Sequence, residues 1–198
     1  WGVDVRPLLQ CTDRNRFYLS DDDRIPELTE RAIMVGNSRK MYRSSAWIPA
    51  SMGYPVTIYG TDWAGSVPDE AIAGSRVDNA ALRRYYRSAR FALNDHWDDM
   101  REMGFVSNRI FDVLASGGRL VTDDVQGLSE VFPDSVATYS SPIELMEILN
   151  RDPDEVYPPE KLAALSEVVR NEHSFDTRAG VLIDDVVDLR AQLRGARR

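Results

Sequence analysis

Apolar residues recur along this chain in two patterns. Short uniform runs, AIMV (32–35), PVTIY (55–59), FALN (91–94) and RLVT (119–122), read as strands buried on both faces. SRV (75–77) and VATY (136–139) read as a shorter third and a sixth strand. Elsewhere the spacing is helical. Leu82, Tyr85, Tyr86 and Ala89 make one stripe in AALRRYYRSAR, and Ile110, Phe111, Leu114 and Ala115 make another in NRIFDVLASGG. The stretches SPIELMEILN, PEKLAALSEVVRNEH and TRAGVLIDDVVDLRAQLRG continue that spacing toward the C-terminus. A helix is also expected directly after the first strand, over GNSRKMYRSSAW. There Gly36 permits a tight turn and Asn37 or Ser38 caps the first amides. Asn79 is expected to cap the helix that carries the tyrosines, whose rings read as core packing.

Strands alternating with helices at this spacing predict an α/β, Rossmann-like, doubly wound parallel sheet. Right-handed crossovers and the order 3-2-1-4-5-6 put strands one and four side by side at the topological switch point. The loop at 36–39 and the polar segment 94–108 then face one crevice. Residues 1–24, with the alternating stretch GVDVRPLLQ (2–10) and the acidic run Asp21 to Asp23, read as a linker or tail of a preceding domain. That acidic run reads as solvated loop, and residues 25–198 as the domain itself. The terminal GARR reads as frayed.

The totals narrow the function classes. With 198 residues and a formal net charge of -8, the chain has length for one sizeable core and no positive excess for nucleic acid. One cysteine, Cys11, makes no internal disulfide, and His96 and His173 alone cannot build a Cys/His metal cage. No run is long and apolar enough for a membrane span, and the start lacks a signal peptide's pattern. The expected setting is the cytoplasm. Because the sequence opens on Trp1 and not Met, it reads as an excised domain or a piece of a longer protein.

The crevice collects Ser38, Arg39, Arg43, Asn94, Asp95, His96, Ser107, Asn108, Arg109 and Asp112. Basic residues in a first helical turn oppose the helix dipole, so Arg39, Lys40 and Arg43 suggest an anionic ligand; a basic surface turn is the alternative. Amides near Ser107 and the guanidinium groups suit phosphates, and a carboxylate suits a ribose diol. Asp112 fits such a diol or an exposed helix face, and Arg109 fits a phosphate or a neighbouring acid. His96 is placed for acid chemistry or sugar binding, though a histidine beside Trp97 is as often structural. Asp123, Asp124 and Glu130 flank the rim, with helix capping the reading for Asp124. No GxSxG elbow or Cys/His pair marks a hydrolase.

The block GFVSNRIFDVLASGGRLVTDDVQGLSEVF resembles the donor-binding signature of group 1 glycosyltransferases with the GT-B fold, in the branch similar to spore-coat maturation proteins. AIMVGNSR, VDNAALRRYYRSARFALNDHW and EHSFDTRAGVLIDDV agree with it in order, and the resemblance runs from Ile25 to Leu189. It implies the C-terminal, donor-binding half of a two-domain transferase that works on a nucleotide-sugar without a metal or other cofactor. The expected partners are that donor, an unknown acceptor and an N-terminal domain not included in this sequence. Asp112 stands where the family has the second of two glutamates, which holds the ribose; the first falls on Gly104, so that carboxylate is absent. Arg39 lies where the family keeps basic residues for the diphosphate, without the matching lysine. Catalytic roles are expected for Arg39 and Arg43, as cations that receive the departing diphosphate, and for His96, from its place after the fourth strand. Donor contacts are expected from Gly36, Asn37, Ser38, Asn94, Asp95, Gly104, Phe105, Val106, Ser107, Asn108, Arg109 and Asp112. An epimerase or phosphorylase of the same fold, or a non-catalytic nucleotide-binding module, is the alternative.

Overall fold

The computed structural model describes residues 5–22 and 24–195. The start of the alternating N-terminal stretch, Asp23 of the acidic run and the last residues of the GARR tail lie outside them. In chain order the elements are β1 (Ala32–Val35), α1 (Ser44–Ser51), β2 (Val56–Tyr59), β3 (Ile72–Gly74), α2 (Leu82–Ser88), β4 (Phe91–Asn94), α3 (Asp98–Glu102), α4 (Asn108–Ala115), β5 (Leu120–Asp123), α5 (Gln126–Val131), β6 (Ala137–Tyr139), α6 (Pro142–Asn150), α7 (Pro153–Val156), α8 (Pro159–Glu172) and α9 (Phe175–Gly195). The six strands are parallel and lie in the order β3-β2-β1-β4-β5-β6, as expected.

Period-two alternation divides each central strand between two cores. Ile33, Ala92 and Leu120 face the side covered by α2, α4 and α8, where Phe111, Leu114 and Val169 are buried. Ala32, Met34, Phe91, Leu93 and Val121 face the other side, against Ala46 and Ile48 of α1 and Leu145 and Leu149 of α6. Burial on both faces is why these strands read as unbroken apolar runs.

Three expectations are corrected. The third strand is Ile72–Gly74 and not 75–77; at the sheet's edge only Ile58↔Ile72 and Tyr59↔Gly74 pair, so two-sided burial imposes no apolar run there. The helix with the tyrosines starts at Leu82, and it is Asp78, accepting from the Ala80 amide at 2.8 Å, that shapes the turn before it, not an Asn79 cap. Finally, Cys11, Thr12 and Phe17 are buried in the domain, and the Thr12 amide donates to the His173 carbonyl at 2.9 Å. Folded packing therefore begins well before residue 25.

Candidate active site

The carboxyl ends of β1 and β4 sit side by side, with Ala32 opposite Phe91 and Met34 opposite Leu93. Above them lies a cleft of about 160 Å³ whose walls include Asn37, Arg39, Arg43, Asp95, Trp97, Ser107 and Arg109. The two loops expected to converge thus do so at the switch point.

The β1 loop is not a helix. Ser38 is buried and its hydroxyl donates to the Asp62 carbonyl at 2.8 Å; its amide donates to Thr61, whose own amide donates to Asn37 Oδ1 at 2.9 Å. Trp63 Nε1 completes the tie by donating to the Gly36 carbonyl. These contacts fasten residues 36–38 to the loop after β2 and delay α1 to Ser44. Arg39 and Lys40 are left in the left-handed region, with φ of 53° and 59°, a conformation L-residues adopt at a cost of order 1 kcal/mol each. Strain of this kind collects where surrounding contacts fix a loop for a purpose.

The three arginines of the cleft differ in how far they are committed. Arg43 is buried, pairs with the buried Asp95 through Nε at 2.5 Å and through Nη2, and donates to the Asn37 carbonyl at 3.1 Å. Its charge is largely cancelled in place, so it frames the cleft. Arg39 is exposed and its guanidinium lies 5.0 Å from the centroid of the Trp97 ring, which also carries Arg43 at 4.6 Å. Arg109 donates to Asn94 Oδ1 at 2.8 Å and crosses the backbone at Gly36. A Cβ on Gly36 would lie 2.6 Å from Arg109 Nη2, so this glycine provides close approach for a guanidinium where a tight turn was expected. Trp97 was not among the expected site residues. An aromatic directly after β4 was the signal available for it.

The α4 amino terminus opens on the same cleft. The Ser107 amide, expected to face a phosphate, instead donates to His96 Nε2 at 3.1 Å. The following amides, of Asn108 and Arg109, have no intrahelical acceptor and point the dipole's positive end at the cleft. His96 itself, expected among the catalytic residues, has a fully buried side chain and places Nδ1 2.7 Å from Asp123 Oδ1. With both nitrogens engaged, it offers the cleft neither an acid nor a base. Burial would raise the Asp123 carboxyl, but hydrogen bonds from His96 and Arg101 outweigh it and hold the group below its ordinary value. Asp124 does not cap α5, whose preceding residue is Val125 without a side-chain cap.

Several expected donor contacts serve other ends. Asn94 is buried and positions Arg109; Val106 is in the core; Phe105 is exposed. Gly104 has φ of 67°, and a Cβ on Gly127 would meet its carbonyl oxygen at 2.2 Å, so the chain here is a glycine-dependent turn against α5. That accounts for the missing glutamate at this position. Asp112 accepts from Thr12 Oγ1 at 2.7 Å and from Asn108 Nδ2 at 2.9 Å, so a diol would have to displace or share these donors. Thr12 lay in the expected linker, which is why it escaped notice.

Burial raises the Asp112 carboxyl to about 6, against the opposing Thr12 bond. A carboxyl raised in the folded state binds more protons there than in the unfolded chain, so stability falls as pH rises from about 4 through 6. We expect Asp112→Asn to be more stable than the parent at pH 7, by on the order of 2 kcal/mol. The gap should close below about pH 4, as read from urea unfolding across that range. An equal gap at both ends would show that Asp112 ionisation is not its origin.

Among the described residues no group of three or more His, Cys, Asp or Glu is placed to hold a metal, and no helix is long and apolar enough to cross a membrane.

By fold, the chain resembles the sucrose-phosphate synthase from Thermosynechococcus elongatus, with a TM-score of 0.62 at 14% identity over 96% of this chain and 53% of that one. The α,α-trehalose 6-phosphate synthase from Burkholderia multivorans follows at 0.58 and 12%, covering 86% of this chain and 45% of that one. AviGT4, a glycosyltransferase involved in avilamycin A biosynthesis, gives 0.54 and 18%, covering 92% and 57%. The chain therefore spans about half the length of these structures. Their shared fold is the expected GT-B one. A search of curated proteins by sequence returns no significant match. The family model described as glycosyl transferase-like matches residues 39–184, which include Arg39, Arg43, Arg109 and the whole of β4 through α8. The chain belongs to this glycosyl transferase-like family.

Proposed function

We propose that the cleft binds the diphosphate of a nucleotide-sugar and that the chain is the donor-binding half of a glycosyltransferase. The observation that carries this reading is the convergence of Arg39, Arg109 and the α4 amino terminus on one cleft at the switch point. In glycosyl transfer the departing nucleoside diphosphate gains negative charge as the bond to the sugar breaks. Fixed cations and helix amides stabilise that charge without having to reorganise, and so can stand in for a metal ion. The cleft, at about 160 Å³, suits a diphosphate and not an entire nucleotide-sugar, since pockets that enclose a ligand run to about 300–1,000 Å³.

A second domain would supply the remaining wall and the acceptor site. Two features support it. The structural neighbours are about twice as long, and α9 displays Leu182, Val186, Leu189 and Leu193 as one stripe with each side chain about half exposed. Such a stripe is apolar surface that a partner domain would cover.

Screening nucleoside diphosphates and their sugars by thermal shift tests the reading, because a ligand selective for the native state raises Tm. Saturating one at about 100 times its Kd should add about 2.7 kcal/mol of stability. If no nucleotide of the panel moves Tm, the proposed donor site is wrong.

A further inference from the structure

Two groups at the start of α4, the Arg109 side chain that lines the cleft and the Ser107 amide that turns inward to His96, are the ends of a single hydrogen-bonded circuit that runs beneath the cleft. Arg109 Nη1 donates to Asn94 Oδ1 at 2.8 Å. Asn94 Nδ2 donates to Thr122 Oγ1 at 2.9 Å, and that hydroxyl donates to Asp123 Oδ1 at 3.2 Å. The same carboxylate oxygen takes His96 Nδ1 at 2.7 Å, and His96 Nε2 accepts from the Ser107 amide at 3.1 Å. Asn94, His96, Thr122 and Asp123 are all buried, between 0% and 5% exposed, so water offers them no substitute partners.

Every donor and acceptor in this circuit is forced. A guanidinium only donates, so Asn94 must present its oxygen to Arg109 and its amine to Thr122. The Thr122 proton is then directed at Asp123, which as a carboxylate only accepts. His96 must carry its proton on Nδ1, because an amide N–H meets its other nitrogen. Arg101, which donates to Asp123 Oδ2 at 2.7 Å, and the His96 amide, at 3.1 Å and 3.2 Å from the two carboxylate oxygens, anchor the middle of the circuit. A buried network with one consistent arrangement holds its members in place, and breaking one link loosens the others.

We infer that Thr122 and His96 are positioning residues for the diphosphate: they touch no ligand, yet fix Arg109 and the first turn of α4 in the arrangement that receives it. The inference rests on the diphosphate reading proposed above. Neither residue lines the cleft, so a change at Thr122 can reach the ligand only through the circuit.

The test uses inorganic pyrophosphate, which presents the diphosphate without a base or sugar, and calorimetry on this chain. Thr122→Val removes the hydroxyl at nearly constant shape and is expected to weaken pyrophosphate binding about 5- to 10-fold, near 1–1.4 kcal/mol. Thr122→Ser restores the hydroxyl and is expected to bind within about two-fold of the parent. A merely structural role for Thr122 predicts no such rescue pattern at matched Tm. Nitrogen-15 shifts of the imidazole give a second readout: the circuit requires a proton on Nδ1 and a bare Nε2 accepting the Ser107 amide in the parent. Should Thr122→Val fail to fold, His96→Phe breaks the other end and is expected to weaken pyrophosphate by a similar factor. Parent-like affinity in whichever of the two variants folds, or an Nε2-protonated His96 in the parent, overturns the inference alone. A parent that binds neither pyrophosphate nor any nucleoside diphosphate overturns the diphosphate reading as well, and is distinguished by the parent titration itself.

Discussion

Asp95→Ala is expected to lower the stability of the domain by about 3–5 kcal/mol, the largest effect of any single substitution near the cleft. Asp95 is buried against Arg43, which keeps only 5% of its side chain exposed, and the two exchange the Nε and Nη2 contacts described above. Asp95 also accepts the Ser45 amide at 3.3 Å, at the start of α1. Removing the carboxylate therefore leaves a nearly buried guanidinium without its counter-ion, held by the backbone carbonyls of Asn37 and Asp95, and frees a helix amide together. The penalty comes from the stranded charge and not from the pair's intrinsic strength. A double variant, Arg43→Met with Asp95→Leu, should accordingly recover most of the loss despite deleting both charges. Urea unfolding of the three proteins decides it. A cost under about 1 kcal/mol for Asp95→Ala would mean that Arg43 finds solvent or another acceptor without it.

How much of this was legible in the sequence follows from where each constraint originates. The central strands β1, β2, β4 and β5 were legible because burial on both faces writes itself into consecutive residues such as Ala32 to Val35. Their order followed from the alternation with helices and the handedness of crossovers. β3 lay beyond this signal, since an edge strand needs only occasional pairs. The β1 loop was misread as helix because the contacts that hold it out of helical conformation, from Ser38 to Asp62 and from Trp63 to Gly36, come from the loop after β2. Local propensity carries no trace of them.

The site shows the same division. That basic residues and a helix amino terminus would meet at the switch point could be read from topology. Which arginine is committed could not, because Arg43 and Asp95 are 52 positions apart and the pairing is tertiary. His96 stood out as the lone histidine of the crevice, but its structural partner Asp123 reads in sequence only as the end of a strand. Gly36 was noticed for the wrong property. Its hydrogen makes room for Arg109, and nothing in the local pattern says that a guanidinium will cross it.

Arg109→Ala is expected to weaken pyrophosphate and nucleoside diphosphate binding by about 10- to 100-fold, because a charge-assisted hydrogen bond contributes about 1.5–3 kcal/mol. The expectation is specific to this arginine. Arg43 is already neutralised by Asp95, and Arg39 is exposed, so water and salt screen much of what it could contribute. Arg109 is only partly exposed and is held in one direction by Asn94, so little ordering entropy stands against the contact it makes. Arg39→Ala should consequently show the smaller loss of the two. Gly36→Ala offers a subtler version: its methyl would intrude to 2.6 Å from Nη2 and push the guanidinium aside while leaving the charge present. Since the displaced atoms are the far end of a flexible side chain, stability should change little while affinity falls about 3- to 10-fold. Calorimetric titrations of the three variants, with Tm measured alongside, separate position from charge. If Arg109→Ala binds pyrophosphate within two-fold of the parent, the anion is held elsewhere and the cleft at the β1 and β4 junction is not the diphosphate site.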